Sequence, residues 1–128
     1  MNKYFPTLII LLILTSCSIT KEIFDQNGTI EKLGTPIKVE YYQVAKDNSN
    51  TETFAIIDPL ELKKVMDELK NADNPEPWKG ARWNKIKVYY SDTILNINTN
   101  NEKIGLSSSG IFYSLDKDNF ISKRLKKK

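Results

Sequence analysis

Between residues 85 and 115 the chain repeats one pattern: a short alternation of apolar and polar residues, then a cluster of turn residues. Ile86, Val88 and Tyr90 alternate with Lys85, Lys87 and Tyr89, and Leu95, Ile97 and Thr99 alternate with Asn96 and Asn98. Lys103-Ile-Gly-Leu106 and Ile111-Phe-Tyr-Ser-Leu115 continue the series. A period of two sends successive side chains to opposite faces of a sheet, so each run reads as a half-buried strand. Ser91-Asp92, Asn100-Asn101 and Ser107-Ser-Ser-Gly110 supply the turn chemistry between them. Strands at this spacing make an antiparallel meander.

The residues before the meander add a hairpin and a helix. Ile37, Val39 and Tyr41 alternate with Lys38 and Glu40, and the alternation slips by one toward Val44, which predicts a bulge or a change of buried face. Lys46-Asp-Asn-Ser-Asn50 reads as a turn and Thr53-Phe-Ala-Ile-Ile57 as the returning strand. Asp58 is a helix cap, Pro59 suits the first helical position, and Glu61 follows the cap by three residues. Ile57 and Leu62 occupy the two positions of a hydrophobic staple. Leu62, Val65, Met66 and Leu69 fall on one stripe, with Lys63, Lys64, Asp67, Glu68 and Lys70 around the rest, which predicts a helix over 59–71. Pro75 and Pro77 make 71–77 a loop. A last helix is expected over 117–125, capped by Asp116, with Phe120, Ile121 and Leu125 inward. The order β-β-α-β-β-β-β-α is an α+β fold: an antiparallel sheet of about six strands with two helices on one face. Residues 36–125 form one domain, consistent with a chain of 128 residues.

The first residues belong to a different physics. A basic start, Lys3, leads into Leu8-Ile-Ile-Leu-Leu-Ile-Leu14 and then Thr15-Ser16-Cys17. This matches a secretory signal, and the apolar run is well short of the ~20 residues that a spanning helix needs. Leu14-Thr15-Ser16-Cys17 resembles the lipobox of bacterial lipoproteins: an aliphatic residue, two small ones, then cysteine. The resemblance implies cleavage between Ser16 and Cys17, a thioether-linked diacylglycerol on Cys17, and acylation of the new amino group, as by palmitate. Residues 1–16 are then the signal peptide, and 112 residues remain. The plainer alternatives are an ordinary cleaved signal with a cysteine beside it by chance, or an uncleaved anchor. Ser18 stands where lipoproteins kept in the inner membrane tend to carry Asp. The expected location is therefore the cell envelope, in the outer membrane if the organism has two. Residues 17–35, mixed polar with single apolar residues and punctuated by Gly28 and Gly34, read as anchor and flexible tether, with Ile30 to Leu33 able to pack on the domain.

Composition removes much of the chemistry. There is no histidine, hence no imidazole base, metal ligand or pH sensor. The lone cysteine is committed to the anchor, so no intramolecular disulfide and no zinc site of the usual kinds is expected. No Gly-rich phosphate loop is present. No cofactor and no metal are expected. The net charge of +3 hides an asymmetry. Setting aside Lys3 and the five basic residues of 123–128 leaves 13 of the 19 basic residues against all 16 acidic ones. An acidic body does not suit nucleic acid, whereas the basic tail at 126–128 reads either as solvated or as a contact for anionic headgroups.

The most distinctive constellation is Trp78, Arg82 and Trp83, followed by Tyr89 and Tyr90. Trp, Tyr and Arg dominate interface hot spots, so Trp78, Arg82, Trp83 and Tyr89 are the candidate binding surface, for an envelope protein or polysaccharide. The plainer reading packs one Trp on the sheet and pairs Arg82 with a carboxylate. The expected role is a non-enzymatic, membrane-anchored binding or accessory domain. The alternative is a small enzyme or inhibitor acting on envelope polymers through paired carboxylates.

Overall fold

The structure is a computed structural model that describes residues 22–78 and 83–126. It is an α+β fold built on a single antiparallel sheet. The strands are β1 Lys38–Val44, β2 Asn50–Ile56, β3 Asp73–Pro77, β4 Asn84–Tyr89, β5 Ile94–Thr99, β6 Lys103–Leu106 and β7 Ile111–Ser114. The helices are α1 Thr29–Lys32, α2 Pro59–Lys70 and α3 Phe120–Lys126. Strand order across the sheet is β2-β1-β4-β5-β6-β7-β3. The chain therefore leaves one edge at β2, crosses the sheet through α2, and joins the opposite edge at β3.

The alternation read from the sequence sets the faces. Val39 and Tyr41 of β1 lie opposite Val88 and Ile86 of β4, and Ile86 opposite Ile97 of β5. These side chains are fully buried, together with Ile56 and Ile104. Over them lie Leu62, Val65, Met66 and Leu69 of α2, Phe120 and Ile121 of α3, and Ile30 of α1. Each fully buried aliphatic or aromatic side chain contributes about 2 kcal/mol of transfer free energy. Tyr41 also stacks on Phe54 (4.9 Å between centroids), and its hydroxyl donates to Asn101 Oδ1 (2.5 Å). Asn101 closes the β5–β6 turn with a left-handed backbone (φ 79°), a conformation that asparagine tolerates better than most residues.

The helix ends follow the expected rules with two exceptions. The Glu61 N–H donates to Asp58 Oδ2 (3.0 Å), so Asp58 caps α2 as its sequence implies. The staple does not close, because Ile57 turns outward and stays exposed. The cap of α3 is Asn119 in place of Asp116: Asn119 Oδ1 accepts from the Ser122 N–H (3.0 Å) while its amide donates to the carbonyls of Asn101 and Asp116. The helix starts at Phe120 because this buried side chain satisfies the strand turn, the loop and the helix at once.

Two differences from the sequence reading concern pairing with distant residues. The sheet has seven strands, because Asp73–Pro77 forms the edge strand β3 and not a loop. The Trp78 N–H donates to the Gly110 carbonyl (3.1 Å). Amides alternate in direction along a strand, so Pro77 and Pro75 sit where the missing N–H would face away from β7, and proline costs the ladder nothing there. The irregularity expected in the hairpin is present between Tyr41 and Tyr42, with Thr53 of β2 as the extra residue between the Tyr41–Phe54 and Tyr42–Glu52 pairs. Finally, residues 22–35 are tied to the domain and do not form a free tether: Ile30 packs into the core, as expected for part of Ile30 to Leu33, while Leu33 stays exposed. Ile23 bridges to Asp73, the Phe24 N–H donates to the Ala72 carbonyl (2.7 Å), and Phe24 meets Tyr113 edge-on. Asp25 accepts from the amides of Ile30 and Glu31, and Glu31 pairs with Lys70 of α2.

Gly105 of β6 sits where a side chain has no room. A Cβ there would lie 2.7 Å from the Ile111 carbonyl oxygen and 3.0 Å from the Phe112 ring. Gly105→Ala is expected to lose about 1–3 kcal/mol by forcing β6 and β7 apart, read as a lower Tm in thermal unfolding.

Candidate functional site on the open face of the sheet

All three described helices pack into the core on one side of the sheet, and among the described residues none covers the other. The side chains there are those that alternate with the core set. On the β1–β4 pair, Lys38, Glu40 and Tyr42 face Tyr89, Lys87 and Lys85 in register. Glu40 is buried at the centre of this group. The Tyr42 hydroxyl donates to Glu40 Oε1 (2.9 Å), and Lys38 Nζ lies 3.2 Å from Glu40 Oε2. The two lysines also cap the two phenols: Lys38 stands 4.6 Å from the centroid of Tyr89, and Lys87 stands 5.1 Å from that of Tyr42. Such cation–π contacts hold both partners in place without consuming the ammonium hydrogens.

This arrangement sets the protonation states. Burial pushes the Glu40 carboxyl up, but hydrogen bonds from Tyr89, Tyr42 and Lys38 and the charge of Lys38 outweigh it and hold the group below its ordinary range. The Tyr89 phenol is pushed well up, first by its hydrogen bond to the Glu40 carboxylate, and Tyr42 is raised by the same partner. Both phenols therefore stay protonated donors at neutral pH. The cluster is a fixed anion ringed by two phenols and flanked by amines.

A second cluster occupies the other end of the open face. Trp78 packs on Phe112 with centroids 4.2 Å apart, and Trp83 lies 5.6 Å from Phe112 and 5.5 Å from Trp78. Phe112 is fully buried, yet it is not part of the core beneath the helices. The two indoles cover it from the open side, across from the close approach at Gly105. The Trp83 Nε1–H is buried without an acceptor among the described residues. Between the clusters, Lys85 Nζ donates to Asn98 Oδ1 (2.5 Å), and the Ser107 hydroxyl reaches the same oxygen (3.3 Å).

The residues singled out from the sequence are thus divided. Trp78 and Trp83 come together on Phe112. Arg82 lies outside the described residues, as does Cys17. Tyr89 does not join the indoles: it is six residues from Trp83 along β4, about 20 Å at strand rise, and belongs to the Glu40 cluster. Tyr90 faces the core and is buried, with its hydroxyl unpaired among the described residues. Sequence reasoning missed Glu40 and Lys38; for Tyr42 and Phe112 it reached only the statement that one residue of each adjacent pair, Tyr41-Tyr42 and Phe112-Tyr113, faces outward or toward the helix layer. Their outward phase on the strands was readable, but their convergence depends on the pairing of β1 with β4 and on the reach of the Trp78 loop to β7.

Carboxylates share a concavity at several places, and the one between α2 and α3 holds the group whose protonation is shifted by burial. Glu61 and Glu68 of α2 line a groove of about 360 Å³ against Phe120, Lys123 and Arg124 of α3. Burial raises the Glu68 carboxyl, and Asp116 adds to the rise, against the Phe120 amide and Lys123, which lower it. Both groups are engaged: Glu61 pairs with Arg124, and Glu68 Oε2 accepts from the Phe120 N–H (3.2 Å). They fasten α3 onto α2. Among the described residues no group of three or more acidic or cysteine side chains is placed to hold a metal ion.

No protein-family model, curated protein or solved structure matches this chain.

The two carboxylates give opposite pH dependences. Glu40 has a depressed folded-state pKa, so its contribution is in place above the unfolded value of about 4.3 and is lost as pH falls through the lower folded value. Glu68 has a raised one, so its contribution is in place below the unfolded value and is lost as pH rises through the folded one. In urea unfolding, Glu40→Gln is expected to cost about 1–2 kcal/mol at pH 7 and less at pH 3, as a charge-assisted hydrogen-bond cluster is weakened. Glu68→Gln keeps an acceptor for the Phe120 amide and is expected to be neutral or stabilising at pH 7.

Proposed function

We propose that this chain is an exported lipoprotein, held in the cell envelope through an acylated Cys17, and that its domain is a binding module that meets an envelope protein or polysaccharide with the open face of its sheet. The anchor reading rests on Leu14-Thr15-Ser16-Cys17 after the apolar run. The binding reading rests on one observation: the face without helices carries two aromatic clusters and three lysines instead of a uniform polar surface. Rigid aromatic rings with polar edges offer large contact area at low cost in conformational entropy, which is why they dominate recognition surfaces. The Glu40 cluster presets its phenols and amines before any partner arrives, so little ordering cost is left for binding.

A carboxylate enzyme would place its chemistry between Glu61 and Glu68, where burial raises the Glu68 carboxyl. The engagement of both by α3 favours the binding module, since an acid tied to a backbone amide and a carboxylate tied to a guanidinium are positioned for packing. If Glu61→Gln or Glu68→Gln abolished an activity on an envelope polymer while the fold stayed intact, the enzyme reading would replace this one.

Two experiments test the proposal. Cys17→Ser is expected to leave a larger precursor without lipid; a variant processed and membrane-associated like the wild type overturns the anchor reading. A photo-crosslinking residue at position 87 on the open face is expected to capture a partner in the intact envelope that the same residue at position 64 on α2 does not. Equal capture at both positions overturns the choice of face.

A further inference from the structure

We infer that the α1–α2 side of the domain lies against the bilayer, with the exposed side chains of Leu33, Ile37, Ile57 and Leu60 entering an anionic headgroup layer. This rests on the reading of Cys17 as the lipid anchor and adds an orientation to it. Four residues, 18–21, separate Cys17 from Glu22, and Ile23 is already fixed to Asp73. Six residue steps span at most about 20 Å. A folded body of about 100 residues has a radius of gyration of ~13 Å and is wider than that reach. So short a leash holds toward the lipid the side where Ile23 emerges.

That side is one continuous surface. Ile23 and Asp25 border a depression shared with Glu31, Asp67 and Lys70. The same Glu31, Asp67 and Lys70 line a groove of about 440 Å³ that runs along α2 to Pro36, Pro59 and Met66. At its far end the apolar residues stand free of the core: Leu33 and Ile37 flank the 34–36 segment, while Ile57 and Leu60 flank Pro59 and are 69% and 75% exposed. Helix α2 has 12 residues and is about 18 Å long, so the patch lies within the span that the anchor permits. An exposed apolar patch with a polar rim marks an interaction surface.

Charge selects the occupant. Lys63 lines this groove and Lys32 follows Glu31 of its wall, while Lys64 lines the neighbouring groove between α2 and α3; all three are exposed. The Arg124–Glu61 pair brings the last turn of α3, which also carries Lys123 and Lys126, to the first turn of α2, where Leu60 lies, and two more lysines follow in the sequence. The carboxylates on this side each have a partner: Glu31 and Asp67 share Lys70, Glu61 meets Arg124, and Asp25 and Asp58 accept from backbone amides. Apolar side chains that dip into the interface, with lysines around them, match a bilayer containing anionic lipid. A second copy of the chain would set these lysines against each other. With this side down, the open face of the sheet points away from the membrane.

The test uses the lipidated protein in vesicles of phosphatidylcholine and phosphatidylglycerol. Cys17 is acylated in that form, so a thiol-reactive fluorophore labels only an introduced cysteine. Leu60→Cys reports the patch, and Asn96→Cys, exposed on the open face, is the reference. Nitroxides on the lipid chains are expected to quench the probe at 60 several-fold more than the probe at 96. Equal quenching, with lipid on Cys17 verified by mass spectrometry, overturns the orientation and leaves the anchor standing. A probe at 60 that is shielded from aqueous iodide yet untouched by lipid nitroxides means that protein covers the patch, and this also overturns it. An N-terminal peptide without lipid overturns the anchor itself, and the orientation with it.

Discussion

The structure depends on the path of one helix. Helix α2 is the link between β2 at one edge of the sheet and β3 at the other, so its apolar stripe must bridge the strands between. Leu62, Val65, Met66 and Leu69 do this with almost no exposure. Everything on the helical side refers to that packing. Helix α3 is tied to α2 through Glu61 and Glu68, and α1 through Lys70. On the other side, because the helices are all spent on one face, the strands must make their own small core from Trp78, Trp83 and Phe112.

The division of the sheet into two unlike faces gives each a distinct role. The covered face holds the fold. The open face is organised by polar contacts around a buried carboxylate, with aromatic rings beside them. If the anchor and its orientation are as proposed, this asymmetry becomes polarity with respect to the membrane, with lipid on the helical side and partners on the other.

What could be read from the sequence was what is local. The meander β4–β7 and helix α2 announce themselves through period-two and period-3.6 patterns and through the cap Asp58, whose bond to the Glu61 amide forms within one turn. What could not be read depends on partners far along the chain. Ile23 and Phe24 look like isolated apolar residues in a polar stretch until Asp73 and Tyr113 receive them, whereas the docking of Ile30 was open to the sequence. The stretch at 73–77 looks unable to form a strand until β7 offers it an edge on which the prolines cost no hydrogen bond. Of the candidate site, the two tryptophans were visible by their chemistry. The Glu40 cluster was not, since only the β1–β4 register brings Tyr89 to Glu40.

The prolines of β3 matter beyond this one sheet. An edge strand with free amides is a template for a strand from another molecule. Here the outermost strand at one end has no donors at Pro75 and Pro77, and the one at the other end is broken by the Thr53 bulge. Were the chain held on a membrane as proposed, neighbours would meet repeatedly in similar orientations, and that would matter more than in free solution. Neither outermost strand presents an unbroken row of donors, so a strand from a neighbouring molecule finds no continuous template at either end of the sheet.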